Sequence, residues 1–362
     1  MRIGIITFHC AHNYGAVLQC YATQEFLRSK GYEVEVINYR PPYLLDPYKL
    51  FNRRRVISKN LIRLLKRLVI EVLTFSNRYK RFKGFESFIH NRLQLGDAVT
   101  RDSLSSDCDA YIIGSDQVWN SRITQGFDPI YFADFPFEKG GKKYISYAAS
   151  METKILTNEQ VDFYIKNLQN FDFLSVRESQ LQQLLQPLTS KKISQVLDPT
   201  LMVPPYVWDS LSSDKSNIEK YVVVYQVRID SNTMRIAEHI ANQIGAKVKV
   251  LVAWLQFRPD EEVCQTATPE EFVDVIRNAA CVVTTSFHGT AFSVIFNRPF
   301  YTIKLNDGAD TRSMSLLNSL GLEDRLVDIN DTPKFSSVDY TKPNQKLEQL
   351  RKYSQDYLLN SL

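Results

Sequence analysis

The sequence predicts an α/β protein made of two similar halves that face each other across a cleft. Three observations carry this expectation. Short apolar runs rich in Val and Ile alternate with segments whose apolar residues recur every three or four positions, as strands do when helices cover both faces of a parallel sheet. The alternation is punctuated at Asp198-Pro199-Thr200 and Pro204-Pro205 and then begins again, which reads as two rounds of one architecture. A chain of 362 residues also suits two domains at roughly 150 residues each.

The first half, expected over residues 1–203, opens with Ile3 to Thr7 as a buried strand. Val17, Leu18, Tyr21, Ala22, Phe26 and Leu27 give a helix from Gly15 to Ser29, and Glu33 to Asn38 alternates as a second strand. This is a βαβ unit of Rossmann type, whose first loop lies where such folds place ligands. Asn13, Tyr14 and Gln19 are therefore candidate ligand contacts, and Gly15 serves the turn. The loop lacks GxGxxG, so a dinucleotide is not supported.

Between Lys49 and Arg92 the chain carries thirteen Lys/Arg against Glu71 and Glu86. Ile57, Leu61, Leu64, Leu65, Leu68, Val72 and Phe75 share one helical face, giving a basic amphipathic helical insertion of about 49–95. It is expected to pack that face on its own domain with the basic face solvated; the alternative is docking at an anionic membrane surface.

Ala110 to Gly114 and Lys143 to Ala148 continue as strands, Asn158 to Gln169 as a helix, and Phe173 to Val176 as a strand ending at Arg177. A helix through Leu184 and Leu185 and the run Gln195 to Leu197 complete the half. The second half, residues 204–340, repeats the pattern. Its strands are Tyr221 to Val227, Lys247 to Val252, Cys281 to Thr284 and Pro299 to Ile303. Its helices are Thr233 to Ile244, Pro269 to Ala279 with Thr268 as N-cap, and Ser313 to Leu320. A tail helix from Gln345 to Leu359, within 341–362, is expected to fold back onto the first half.

Composition excludes several classes. With 44 Lys/Arg, 40 Asp/Glu and a net charge of +4, nucleic acid is not an expected partner. The five cysteines are scattered without a CxxC pair, so neither a disulfide framework nor a zinc site is indicated. No metal motif is evident, since His9 and His12 lack further ligands. Without a signal-peptide pattern or a spanning apolar run, a cytoplasmic protein is expected, at most peripheral at the inner membrane face through the basic insertion.

The candidate site centres on Cys281 to Phe296, where an apolar run gives way to Ser286-Phe287-His288-Gly289-Thr290. A strand-to-helix junction there offers free helix N–H groups to an anion, so Ser286, Gly289 and Thr290 are anion-holding candidates. His288 can deliver a proton beside that anion. Arg177 at a strand end suits bidentate recognition of carboxylate or phosphate, or else pairs with Glu178 or another acid. Lys304 and Arg312 are further cations of a polar loop or plain surface charge. Asp116 is placed to accept a hydroxyl proton, with Gln117 and Trp119 beside it for a sugar; an N-cap or Asx-turn is its structural alternative.

Six stretches in order resemble the polysaccharide pyruvyl transferase family: Asn13 to Gln19, Ile113 to Asn120, Ser146 to Ser150, Ser175 to Glu178, Leu197 to Thr200 and Ser286 to Thr290. The resemblance implies two Rossmann-like domains in a GT-B-like arrangement. It also implies transfer of a pyruvyl group from phosphoenolpyruvate, with no further cofactor, to a sugar of a cell-surface glycan precursor. His288 matches the family's general acid and Arg177 its donor-binding arginine. Some members carry arginine where this chain has Ser286, so Arg312 or Lys304 is expected to supply that charge. The basic insertion adds the expectation of a lipid-linked acceptor. The alternatives are a GT-B glycosyltransferase using a nucleotide sugar and a non-catalytic glycan-binding relative.

Overall fold

Two parallel sheets flanked by helices build the protein, as a computed structural model describing residues 1–51, 60–105, 107–153, 155–212, 219–253, 263–306, 308 and 310–362. The first sheet runs β3-β2-β1-β4-β5, with β1 Arg2–Ile6, β2 Glu33–Tyr39, β3 Leu95–Val99, β4 Ala110–Ile113 and β5 Lys143–Ser146. β6 (Leu174–Val176) and β7 (Ile193–Gln195) pair with each other and adjoin the first sheet through single bridges, Phe173 to Ile145 of β5 and Val176 to Ala149 just after it. The second sheet runs β10-β9-β8-β11-β12-β13, with β8 Tyr221–Gln226, β9 Lys247–Val252, β10 Val263–Cys264, β11 Cys281–Thr284, β12 Phe300–Lys304 and β13 Leu326–Asp328. β8 and β11 are buried at every position, which explains their unbroken apolar sequence.

The central strands stand where the sequence predicts them, and the edges differ. β3, β10 and β13 lack a clear apolar alternation, so their pairing comes from the neighbouring strand rather than from their own residues. The last strand of the first half is Ile193–Gln195, two residues before the expected Gln195 to Leu197.

The helices used below are α1 Tyr14–Ser29, α2 Leu61–Arg92, α3 Asn158–Asn167, α4 Ser179–Leu185, α5 Ser231–Ile244, α6 Pro269–Arg277, α7 Phe287–Ile295, α8 Asp310–Leu320 and α9 Thr341–Ser361. Thr268 caps α6 with a reciprocal bond from Glu271, the pairing that satisfies two end donors at once. Asp198-Pro199-Thr200 is not an exposed linker: Asp198 caps a buried turn over Pro199–Met202. Onto that turn packs α9, whose Ser354 Oγ accepts from Leu197 N (2.9 Å) and whose Arg351 Nε donates to the Leu201 carbonyl (3.1 Å).

The halves share one apolar core. Tyr14 of α1 stacks on Phe272 of α6 at 4.5 Å, and its hydroxyl donates to the Ala267 carbonyl (2.9 Å). Buried Arg81 of α2 donates to Tyr14 Oη (2.7 Å) and to the Val252 and Ala253 carbonyls (3.2 and 3.0 Å) at the end of β9. A guanidinium there satisfies strand-end carbonyls that the second sheet leaves open.

The expectation that α2 packs its apolar face on its own domain is corrected in its first half. Leu65, Leu68, Val72 and Phe75 are exposed, whereas Arg78, Arg81, Phe85, Phe88 and Ile89 further along are buried. The helix is anchored by its second half and projects from the body by its first. Ile57, Arg53, Arg54, Arg55 and Lys59 lie outside the described residues, as does the placement of the Leu61 side chain. Among the described residues no helix is long and apolar enough to cross a membrane.

Behind the first loop, His9 is fully buried, with Nδ1 near the Thr7 carbonyl (3.3 Å) and Nε2 near Asn38 Oδ1 (3.2 Å). Burial pushes its pKa down to about 4 against the two hydrogen bonds. The unfolded chain binds a proton near pH 6.5 that the folded chain refuses until about pH 4, so stability is full above the first value and falls between them. The loss amounts to about 3 kcal/mol from this group, and His12, shifted the same way by burial, adds to the slope. Unfolding midpoints at pH 7, 5.5 and 4.5 should fall steadily, and less steeply in His9→Gln; equal slopes in the two proteins would refute the assignment.

Candidate active site

A cleft of about 440 Å³ opens at the carboxyl ends of both sheets, lined from the first half by Asn13, Asp116 and Gln117 and from the second by Ser286, His288 and Arg312. Strand ends face it because parallel strands all release their following loops on one side. A smaller cavity of about 250 Å³ adjoins it, sharing Phe287 and Arg312 and lined also by Arg177 and Asp198.

His288 occupies the second position of α7. Ser286 caps that helix, its Oγ accepting from Gly289 N at 3.5 Å, which leaves the N–H groups of Phe287 and His288 without partners among the described residues. The His288 ring lies against the first turn of α1, so closely that a Cβ on Gly15 would overlap it. Its Nε2 is buried without a hydrogen-bond partner among the described residues and stands 3.7 Å from Asp198 Oδ2. That is close enough for charge to act and too long for a hydrogen bond.

Asp198 is the hub that sequence reasoning takes for punctuation. Its carboxylate accepts from Arg177 Nη1 (2.6 Å), Thr200 N (2.9 Å) and Thr200 Oγ1 (2.7 Å). Burial pushes its pKa up, but His288, Arg177 and the Thr200 N–H outweigh burial and hold it below the ordinary carboxylate range. It is a permanent negative charge behind the imidazole.

Arg177 is corrected from a free donor-binding cation to a buried organiser. Its Nε donates to Glu178 Oε1 (2.9 Å), Nη1 to Asp198 and Nη2 to Ser150 Oγ (3.0 Å), while the guanidinium covers the Phe287 ring at 4.4 Å. Burial opposes its charge, and Glu178, Asp198 and Asp116 more than restore it. The acid-paired alternative is the arrangement present, with two acids rather than one.

Arg312 lines the cleft. Its Nε is buried without a partner among the described residues, and burial together with Arg177 lowers its pKa against Glu152, Glu178 and Asp116. A cation short of partners beside another cation gains from an incoming anion. Arg228, not singled out from sequence, lines the same cleft and donates to Asp310 Oδ1 at 2.9 Å. Lys304 is elsewhere, on β12 in register with Asp328 of β13, whose charge explains its presence.

On the first half, Asp116 takes the left-handed conformation (φ 69°), one that Asp tolerates better than most residues. Its carboxylate has no hydrogen-bond partner among the described residues, so neither the N-cap nor the Asx-turn reading applies. Gln117 lies beside it. Asn13 lines the cleft while capping α1 through Gly15 N and Ala16 N.

Five other candidates are structural. Tyr14 joins the halves as described above. Gln19 is buried, donating to Thr7 Oγ1 (2.7 Å) and accepting from Ser115 N (3.2 Å). Trp119 is 1% exposed, donates to the Tyr131 carbonyl and stacks on Phe132, so no sugar reaches it. Gly289 is where a Cβ would strike Thr284, and Thr290 Oγ1 bonds Thr302 Oγ1 (2.7 Å) to fix α7 on β12.

The contact between Gly15 and His288 yields a direct expectation. Alanine favours a helix interior over glycine by about 1 kcal/mol, yet Gly15→Ala must move the ring. Turnover should fall by about 10²-fold, as for a catalytic group displaced by about 1 Å, with little loss of melting temperature. Undiminished turnover would show that the ring's seat is unimportant.

Two parallel sheets with a polar cleft at their facing strand ends define an α/β protein of the GT-B kind. A sequence model of the polysaccharide pyruvyl transferase family matches residues 13–307, and the chain belongs to that family. No curated protein matches the chain in sequence. Among solved structures it is similar to the UDP-GlcNAc 2-epimerase of Methanocaldococcus jannaschii (10% identity, 99% of each chain, TM-score 0.47). UGT89C1 of Arabidopsis thaliana (10%, 98% of this chain and 94% of that one, 0.42) and the SsfS6 glycosyltransferase of Streptomyces sp. SF2575 (13%, 99% and 96%, 0.37) are similar too. The fold rests on the strand order and not on these low scores.

Proposed function

We propose that the protein transfers the pyruvyl group of phosphoenolpyruvate to two hydroxyls of one sugar in a polysaccharide precursor, forming a cyclic ketal and releasing phosphate. The observation that carries the reading, within a family of this activity, is the pairing of open polar atoms in the cleft. His288 Nε2 and Arg312 Nε are both buried and unpartnered among the described residues, and such groups are kept for a ligand more often than left unmet.

The donor is an enol ester. His288 gives a proton to its methylene carbon, whose C=C electron pair forms the new C–H bond and leaves an oxocarbenium-like centre. Arg312, with Arg228 and the free N–H groups of α7, holds carboxylate and phosphate. One sugar hydroxyl adds to the central carbon while Asp116 takes its proton, which returns to the His288 pool. The second hydroxyl then displaces phosphate, which leaves with the other proton. Asp198 sets a fixed negative charge 3.7 Å from Nε2, and the cleft holds the reactants together, removing much of the entropic barrier.

The test is incubation with phosphoenolpyruvate and glycan acceptors. Phosphate release that requires acceptor, with a product heavier by the ketal, is expected. Release of a nucleoside diphosphate from a sugar nucleotide instead would assign the protein to the glycosyltransferases.

A further inference from the structure

The first half of α2 carries a solvent-facing apolar stripe. Ile62, Leu65, Val69, Val72 and Leu73 recur at three- and four-residue steps and so line one side of the helix, with Leu68 and Phe75 widening it. Each of the seven is between 38% and 75% exposed. Monomeric proteins seldom leave so large a contiguous apolar surface bare. Arg63, Lys66 and Arg67 are exposed at the start of the same stretch, beside the stripe and around the helix from it. The acid of this stretch, Glu71, is paired with Arg78.

The two properties together select the partner. A second copy would cover the stripe but would bring the same cations against each other, and Glu71 is already engaged. A hydrocarbon surface bordered by negative headgroups accepts both the stripe and the cations. The helix cannot span, since no described segment is apolar enough, but it can lie in the interface. Its second half fixes the angle of approach, because Arg81 is clamped to strand ends of the other sheet.

We propose that residues 62–75 dock the protein on an anionic lipid surface, with the stripe among the acyl chains and Arg63, Lys66 and Arg67 at the headgroups. Resting on the proposed function, this would bring the protein to the bilayer that carries lipid-linked acceptors.

The test uses the full chain and no activity readout, so it stands or falls apart from the pyruvyl-transfer reading. Co-sedimentation with vesicles of equal phosphatidylcholine and phosphatidylglycerol should capture the protein, and phosphatidylcholine alone should not. Leu65→Glu with Val72→Glu, both at exposed positions, should abolish capture at unchanged melting temperature. Reversal of Arg63, Lys66 and Arg67 to Glu should weaken it by more than about a hundredfold, the loss of the three attractive charges alone, and added salt should weaken the wild type. The proposal is overturned if the wild type stays in the supernatant with anionic vesicles, or if all variants sediment alike. It is equally overturned if lipid-free protein is a dimer that the Leu65/Val72 substitutions turn into monomer, since the face would then belong to a second copy.

Discussion

His288→Gln should lower turnover by about 10²- to 10⁴-fold, the usual contribution of a positioned proton donor, while the fold stays intact. The imidazole Nε2 makes no hydrogen bond among the described residues, so its removal breaks no bonded network there, and glutamine fills most of the space above Gly15. The loss should fall on turnover rather than on the Michaelis constant for donor, because a group that acts by proton transfer contributes in the transition state. Ketal formation at the wild-type rate in a variant of unchanged melting temperature would remove His288 from the chemistry.

Asp198→Ala should produce the largest loss of stability. The carboxylate is fully buried and bonds Arg177, Thr200 N and Thr200 Oγ1. Its removal leaves the Arg177 guanidinium, itself almost wholly buried, with one carboxylate partner. Breaking a buried pair in this way costs about 3–5 kcal/mol. Asp198→Asn, which keeps the shape and the bond from Thr200, should cost less and still depress turnover, because the negative charge behind the imidazole is gone. Chemical denaturation separates the two expectations, and a loss under about 1 kcal/mol for the alanine variant would show that Glu178 alone suffices for Arg177.

Much of the scaffold is legible because the central strands are apolar on both faces and the helices carry a single apolar side. The edge strands are not, since pairing there depends on the neighbour. In the site, His288, Asp116, Gln117, Asn13, Ser286 and Arg312 can be placed in the cleft from their position at strand ends. Arg177 shows the limit of that inference: a strand end supplies a direction, but whether the guanidinium meets ligand or acid depends on Asp198, twenty-one residues away in sequence. Asp198 itself reads as a turn residue before Pro199, and only its place in a buried turn reveals that its charge lies beside Arg177 and His288. Trp119 misleads for a related reason, because the strand-end loop that carries it folds inward over Tyr131 and Phe132. For α2 the amphipathic pattern is plain, but the sequence does not say that the stripe faces outward.

The seat of His288 on Gly15 has a consequence for how the protein can be divided. The ring is carried by the second sheet and held in place by the first turn of the first helix, so neither half expressed alone can seat it. Two separately produced fragments, cut between the sheets, would be silent until they recombine. Recovered activity would then measure their reassembly directly.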